Sequence, residues 1–390
     1  MIKILVNSYT SGGCGKFRVN DPHQMLQELF KDEVLVTFNE NIDYKNEHYL
    51  QQFDLIFFHK LPFFNYISEE ELYNKMLTDI KLMFLRLKRL NIKVVVDIDD
   101  YWRGLTNNQI LIECVLECLR SASLVITPVE SLALEVKKLN KNVVIISNAI
   151  NPLEEQFINK QTDNELLRFG WLGGSSHIED IKLLSGICNT NKYQMVLCGF
   201  DLRGDMKIHT DKGVVSRSIL PSETVWGTYE RIFTNNYQNI NKDYLEYLNK
   251  FEYEHNYNDK FESYRRIWTK SIESYANGYD EFDVSLIPLK DTHFNLYKSQ
   301  LKIIEAGFKH KPIICSNFGP YKIDLIKYDK GGNALIVDKP KQWLQNAKLL
   351  ENKDLRIELG ERLYQTVKDK YDLRNVSKLR MEIYKKLLNE

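Results

Sequence analysis

The chain has 390 residues, enough for two domains of ordinary size. Its apolar share of 43% and charged share of 27% are those of a folded globular protein and exclude wholesale disorder. Lys plus Arg equals Asp plus Glu at 53 each, which argues against a protein that coats nucleic acid by bulk charge, and no apolar run approaches the roughly 20 residues needed to cross a bilayer.

The chain opens on Met1 to Ser8, a very short apolar stretch that soon turns polar, which predicts a first strand rather than a secretory signal. The cysteines Cys14, Cys114, Cys118, Cys188, Cys198 and Cys315 form no CxxC pair, so we expect reduced, buried thiols and a cytoplasmic location. Continuous apolar runs at Ile2–Val6, Val34–Phe38, Leu55–Phe58, Val94–Ile98, Leu124–Ile126 and Val143–Ile146 suit strands buried on both faces of a parallel sheet. Helical periodicity separates them at Pro22–Phe30, Glu70–Leu90, Ile110–Leu119 and Ser131–Leu139. This is a βαβ series and predicts a doubly wound domain.

A second series follows the polar segment Glu154–Glu165. Its predicted strands are Leu167–Leu172, Met195–Leu197, Val284–Ile287, Pro312–Cys315 and Ala334–Val337. Its predicted helices are Ile178–Cys188, Ser299–Phe308, Lys341–Leu350 and Leu355–Lys368, and a last helix runs from about Val376 to Leu388. We place the first domain at 1–155 and the second at 165–373. Residues 203–270, rich in Tyr, Asn, Glu and Lys, read as a mostly helical insertion in the second domain.

Several segments carry chemistry. Ser11-Gly12-Gly13-Cys14-Gly15-Lys16-Phe17-Arg18 lies between a strand and a helix, where an anion or a sugar could sit, with Gly13 and Gly15 the candidate contacts. It is neither a Walker A loop nor GxGxxG, since Thr10, Phe17 and Arg18 stand at required positions. Asp97-Ile98-Asp99-Asp100 ends the run Val94–Val96, and the carboxyl ends of parallel strands are where ligands bind in open α/β sheets. Those carboxylates could hold a hard cation, bind sugar hydroxyls, or cap the next helix. Adjacent side chains on an extended strand end diverge, so Asp99 and Asp100 are not expected to share one ion unless the chain turns. His59 ends the run Leu55–Phe58 and could serve as a base.

In the second series, Gly170-Trp171-Leu172-Gly173-Gly174-Ser175-Ser176-His177 joins a strand to a helix, a turn suited to a diphosphate. Phe282–Leu289, which contains Pro288, precedes Lys298, Lys302 and Glu305 at i, i+4 and i+7. On a helix these three would share one face, with two ammonium groups near its start. Such ammonium groups oppose the helix dipole unless an anion joins them.

Ser147-Asn148-Ala149-Ile150-Asn151-Pro152, the Gly173-Gly174 loop, Phe282–Leu289, Lys298–Gly307 and Lys311–Tyr321 together resemble the GT-B fold glycosyltransferases of the family 4 type, the glycosyl transferases group 1 class. The resemblance implies an α/β chain with two Rossmann-like domains facing across a cleft and a C-terminal helix, about 374–390, crossing back to the first domain. It also implies transfer of a sugar from a nucleoside-diphosphate sugar, such as a UDP-sugar, to an acceptor hydroxyl, with retention; because Lys298 and Lys302 already offer cations for the diphosphate, we expect no metal and no cofactor. Gly13, Gly15, Gly173, Gly174, Ser175, Pro288, Lys298, Lys302 and Glu305 would hold the donor, Glu305 through the ribose. Asp99, Asp100 and His59 would act on the acceptor. Tyr297 stands where the family has the first Glu of its E-x7-E motif, and Gly174 stands near its usual Arg.

The acceptor classes in view are a glycan, a lipid-linked glycan and a modified nucleobase. Leu82–Leu90, basic and apolar, could touch a membrane surface or simply pack on the sheet. A nucleotide-sugar epimerase of the same layout and a non-catalytic nucleotide or glycan binder are the alternative functions.

Overall fold

The computed structural model describes the chain except residues 9, 11, 63–69, 161, 163, 186, 188–191, 201–204, 211–212, 219–224, 235–262, 270 and 390. Ser11, Cys188 and much of the expected insertion therefore lie outside the described residues. The chain divides into two compact units, Met1–Asn151 with Thr292–Leu301 and Asp369–Glu390, and Pro152–Asp291 with Lys302–Lys368.

The first unit is built on six parallel strands, β1 (Ile2–Asn7), β2 (Val34–Asn39), β3 (Leu55–His59), β4 (Lys93–Asp97), β5 (Leu124–Thr127) and β6 (Val143–Ile145), in the order β2-β1-β3-β4-β5-β6. The central strands are continuous apolar runs because both of their faces are covered. Ile56, Phe58, Val94 and Val96 face one cluster, shared with Ile80, Met83 and Leu87 of helix α2 (Glu70–Arg89) and Val115 and Leu119 of α3 (Gln109–Ser121). Ile4, Val6, Phe57 and Val95 face the other, shared with Met25 and Leu26 of α1 (Asp21–Leu29). Asn108 caps α3 by accepting from the Ile110 and Leu111 N–H groups, both at 3.0 Å.

The second unit repeats the plan. Strands β7 (Leu167–Gly173), β8 (Tyr193–Phe200), β11 (Tyr264–Thr269), β12 (Val284–Ile287), β13 (Ile313–Ser316) and β14 (Leu335–Val337) form a parallel sheet in the order β11-β8-β7-β12-β13-β14. Between β8 and β11 lie an antiparallel pair, β9 (Asp205–Thr210) and β10 (Gly213–Ser218), and the helix Val225–Phe233 (α5). This corrects the expectation of a mostly helical insertion over 203–270: its described parts include a hairpin and the sheet's own edge strand. Arg266 on β11 breaks the apolar pattern that marks a strand. Inside the fold Glu230 of α5 neutralises it at 3.0 Å, both side chains being almost fully buried.

The last helix, α9 (Leu373–Asn389), belongs to the first unit and completes its second cluster with Val376, Met381 and Tyr384. Residues 292–301 also belong there, although they lie between β12 and the helix α6 (Leu301–Phe308) of the second sheet. Ser131 donates to the Leu296 carbonyl at 2.9 Å, Asn148 to Ser299 at 2.9 Å and Gln300 to the Tyr371 hydroxyl at 2.8 Å, while Tyr297 stacks on Tyr101 at 4.6 Å.

His23 ties α9 to α1. Its Nδ1–H donates to the Val19 carbonyl at 2.7 Å and its Nε2 accepts from the Tyr384 hydroxyl at 3.0 Å, an arrangement that needs the neutral ring. Burial, reinforced by Arg380, pushes its pKa down to about 3. A depressed histidine contributes stability that is fully present above its unfolded pKa near 6.5 and is lost as pH falls towards the folded value. We therefore expect the parent protein to lose roughly 1.4 kcal/mol per pH unit below 6.5 relative to His23→Gln, which cannot take up the proton. Urea unfolding of both proteins at pH 7 and 4.5 checks this.

Candidate active site

The strand order of the first unit reverses between β1 and β3, so the crevice at their carboxyl ends is the natural ligand position. The structure brings a dense polar cluster to that end. Asp97, the last residue of β4, accepts two hydrogen bonds from Arg18, Nε to Oδ1 at 3.0 Å and Nη2 to Oδ2 at 2.5 Å, and a third from His59 Nδ1 at 2.9 Å. Arg18 also donates to the Ile146 carbonyl at 2.8 Å and to Asn148 Oδ1 at 3.1 Å. Arg18, His59 and Asp97 are at most 1% exposed.

One layer outward, His59 Nε2 lies 3.2 Å from Asp99 Oδ1, and the Cys14 thiol donates to Asp99 Oδ2 at 3.0 Å. Lys60 Nζ reaches Asp99 Oδ1 at 2.8 Å and Asp100 Oδ2 at 2.9 Å. The chain does turn after β4, so Asp99 and Asp100 converge on one cation after all, and that cation is an ammonium of this chain. Lys60 adopts the left-handed backbone region, φ 62°, which costs a residue other than glycine about 1–2 kcal/mol and brings its side chain back onto the two carboxylates.

Burial alone would push the His59 imidazole down, but the Asp99 charge and the Asp97 hydrogen bond outweigh it and hold the pKa well above 6.5. Burial would likewise raise the Asp99 carboxyl, yet Lys60 and His59 keep it well below the ordinary value. In this arrangement His59 is an imidazolium, able to donate a proton but not to accept one. Burial and then the Asp99 charge push the Cys14 thiol up.

The glycine-rich segment before α1 is helical, a turn over Gly12–Cys14 followed by a π-helical stretch over Gly15–Asn20. Gly13 has open space around it, whereas a Cβ on Gly15 would collide with the Thr10 carbonyl oxygen. The two cations beside these glycines are engaged within the protein: Lys16 pairs with Asp21 at 2.9 Å, and Arg18 belongs to the Asp97 group. Arg18, Lys60 and Cys14 are the cluster members that sequence reasoning gave no role; the place of Cys14 and Arg18 in the glycine-rich segment and the carboxyl-end position of Asp97 were the signals towards them.

In the second unit the strand order reverses between β7 and β12. Lys302, in the first turn of α6, donates to the Leu172 carbonyl at the end of β7 and sits 4.8 Å from the centre of the Trp171 ring. A Cβ on Gly173 would meet the Lys302 ammonium and lie 2.6 and 2.8 Å from Trp171 ring carbons, so the absence of a side chain there makes room for the lysine. The following loop is open, with Gly174 half-buried and Ser175 and Ser176 exposed. Tyr229 braces it by donating to the Ser175 carbonyl and accepting from the His177 N–H, both at 2.7 Å. Pro288 is buried just beyond the end of β12.

Lys298 does not share a helix face with Lys302 and Glu305. The helix begins at Leu301, and Lys298 precedes it in extended conformation (φ −67°, ψ 158°), its ammonium 5.3 Å from the Phe294 ring centre. Glu305 is 3% exposed, and its two oxygens accept from the Tyr275 hydroxyl and, at 2.8 Å, from the Tyr279 hydroxyl. Burial raises its pKa against the opposing pull of Lys302 and the two phenols.

No protein-family model matches the chain, and no curated protein matches its sequence. Solved structures match along its whole length. Sucrose-phosphate synthase from Thermosynechococcus elongatus superposes with a TM-score of 0.63 at 11% identity, covering 100% of both chains. HepE from Anabaena, in complex with UDP and glucose, gives 0.61 at 10% identity and covers 99% of each chain. The trehalose-6-phosphate synthase OtsA gives 0.55 at 9% identity and 98% of each. The likeness at this identity is one of fold: the chain has the two-domain α/β GT-B fold seen in these glycosyltransferases. Among the described residues no helix is long and apolar enough to cross a membrane.

The cluster around Asp97 is testable without any ligand. Asp97→Asn keeps the shape but leaves the Arg18 charge buried without its counter-charge. Breaking a buried pair in this way should cost about 3–5 kcal/mol of unfolding free energy, measured by denaturant titration.

Proposed function

We propose that the protein is a glycosyltransferase that moves a sugar from a nucleoside-diphosphate sugar to an acceptor hydroxyl, with retention and with no Mg2+ or Mn2+ on the diphosphate. The observation that carries this reading is the Lys302 ammonium. It is held at the carboxyl end of β7, at the reversal of strand order, beside the open Gly174-Ser175-Ser176 loop. Cleavage of a sugar–phosphate bond builds negative charge on the leaving diphosphate, and a preorganised cation with adjacent backbone N–H groups stabilises that charge. Gly173 gives the lysine its room, Ser175 and Pro288 border the same strand ends, and the glycosyltransferase fold supports the same assignment. HepE is one relative in fold whose structure contains UDP, and UDP is the donor nucleotide we assign.

In this reading Glu305 supports the site from below. Its buried carboxylate aligns Tyr275 and Tyr279 and adds negative potential under Lys302. Gly13 and Gly15 shape the turn beside the acceptor-side cluster. Asp99 and Asp100 orient the acceptor hydroxyl. His59, charged as it stands, becomes a base only after giving up its proton. The resemblance to the family 4 type, a cytoplasmic location, a role in glycan biosynthesis and a glycan or lipid-linked acceptor belong to the same proposal.

Lys302→Ala should weaken UDP binding by roughly 1.5–3 kcal/mol in calorimetry, the scale of a hydrogen bond to a charged group. Glu305→Gln should weaken UDP and inorganic pyrophosphate alike, because its carboxylate acts through Lys302; a loss confined to UDP would move Glu305 to the ribose. UDP affinity should be equal in EDTA and in Mg2+. Unchanged UDP affinity in a folded Lys302→Ala protein would remove the donor site from the second unit.

On the acceptor side, Asp99→Asn or Asp100→Asn should lower kcat much more than UDP affinity, since groups on the acceptor act in the chemical step. Steady-state kinetics beside UDP titration separates the two effects, and full activity in both variants would discard the assignment.

A further inference from the structure

Cys14, His59 and Asp99 come from three separate segments of the first unit: the turn after β1, the end of β3 and the turn after β4. They offer a sulfur, an imidazole nitrogen and a carboxylate oxygen, all within 4.8 Å of one another. From this geometry we propose that the first unit binds one zinc-class divalent ion through Cys14 Sγ, His59 Nε2 and an oxygen of Asp99, leaving a fourth position open. The inference does not depend on the donor reading, because all three donors lie in the first unit and are tested without nucleotide.

Several features of the cluster fit an ion. Zinc–ligand bonds of about 2.0–2.3 Å in a tetrahedron put neighbouring donor atoms about 3.3–3.7 Å apart. Cys14 Sγ lies 3.0 Å from Asp99 Oδ2 and His59 Nε2 lies 3.2 Å from the other oxygen of the same carboxylate, with one ligand atom of each residue within 4.8 Å of the others, so small side-chain adjustments bring the three donors to this spacing. His59 is already oriented as a ligand, with Asp97 accepting from Nδ1 at 2.9 Å and Nε2 directed at the other two donors. A carboxylate behind a histidine is the arrangement that fixes ring orientation and raises basicity at metal centres. The mixed sulfur, nitrogen and oxygen set selects zinc or cobalt over magnesium and calcium, which take oxygen ligands.

The neighbouring cation leaves room as well. Lys60 is the competing cation, but it contacts Asp99 Oδ1 and Asp100, which leaves Oδ2, the oxygen facing Cys14, for the ion. Three protein ligands and one open position make a Lewis-acid centre that can bind and polarise a hydroxyl or a water molecule.

The test uses the full chain, stripped with EDTA, dialysed and titrated with Co2+ as a spectroscopic stand-in for zinc. We expect one equivalent bound, with a thiolate-to-cobalt charge-transfer band in the near ultraviolet and the visible bands of a tetrahedral ion. Cys14→Ser should abolish the charge-transfer band. His59→Gln and Asp99→Asn should lower affinity at least tenfold. Cys114→Ser, altered on α3 away from the cluster, should bind as the parent does, and thermal melting checks that each variant is folded. Binding of less than a tenth of an equivalent by the parent protein, or an unchanged charge-transfer band in Cys14→Ser, overturns the proposal. Loss of UDP binding in Lys302→Ala would bear on the donor site alone.

Discussion

The first unit depends on a single buried carboxylate. Asp97 follows the apolar run Val94–Val96, and without partners its charge would be prohibitively costly there. Arg18 supplies two hydrogen bonds and a full charge, and His59 supplies a third bond. Arg18 then reaches the Ile146 carbonyl and Asn148 beyond the end of β6. One carboxylate thereby connects the turn after β1, the end of β3, the end of β4 and the exit of β6. The outer residues Cys14, Lys60, Asp99 and Asp100 inherit their positions from this inner set. A functional cluster assembled in this way is rigid because removing any inner member strands a charge.

The same logic operates in the second unit with weaker forces. There the half-buried ammonium donates to a carbonyl and lies against an aromatic face. Lys302 thus stands at the carboxyl end of β7, where a ligand of an open α/β sheet binds. Glu305, one turn further along α6, is close enough to influence Lys302 yet spends its hydrogen bonds on Tyr275 and Tyr279. Each unit thus places a cation at its strand ends, Arg18 against the Asp97 carboxylate in one and Lys302 against the Leu172 carbonyl in the other.

Much of this layout could be read from the sequence. Strands buried on both faces leave uninterrupted runs such as Val94–Val96 and Ile313–Cys315, and these were legible as a repeated βαβ plan. The edge strand β11 was not, because Arg265 and Arg266 interrupt its run, and its partner Glu230 lies 36 residues upstream on another element. Lys298, Lys302 and Glu305 have helical spacing, but spacing defines a face only inside a helix, and the helix starts at Leu301. The preceding ten residues are claimed by hydrogen bonds from Ser131 and Asn148 and by one that Gln300 donates to Tyr371, all to partners far away in sequence. The acidic segment Asp97–Asp100 was legible as a site from its place at a strand end. That Arg18 completes it was not, since nothing local links residues 79 apart.

Gly173 carries a consequence for how this sequence can change over time. The space that a methyl group at 173 would fill is occupied by the end of the Lys302 side chain and by the Trp171 ring. Positions 173 and 302 therefore form one unit of variation although 129 residues separate them. A side chain at 173 would displace the Lys302 ammonium from its present place and press on the Trp171 ring, so a lineage that keeps this lysine position keeps glycine at 173. Among relatives of this chain, the two positions should record a shared history, with glycine and lysine gained or lost together.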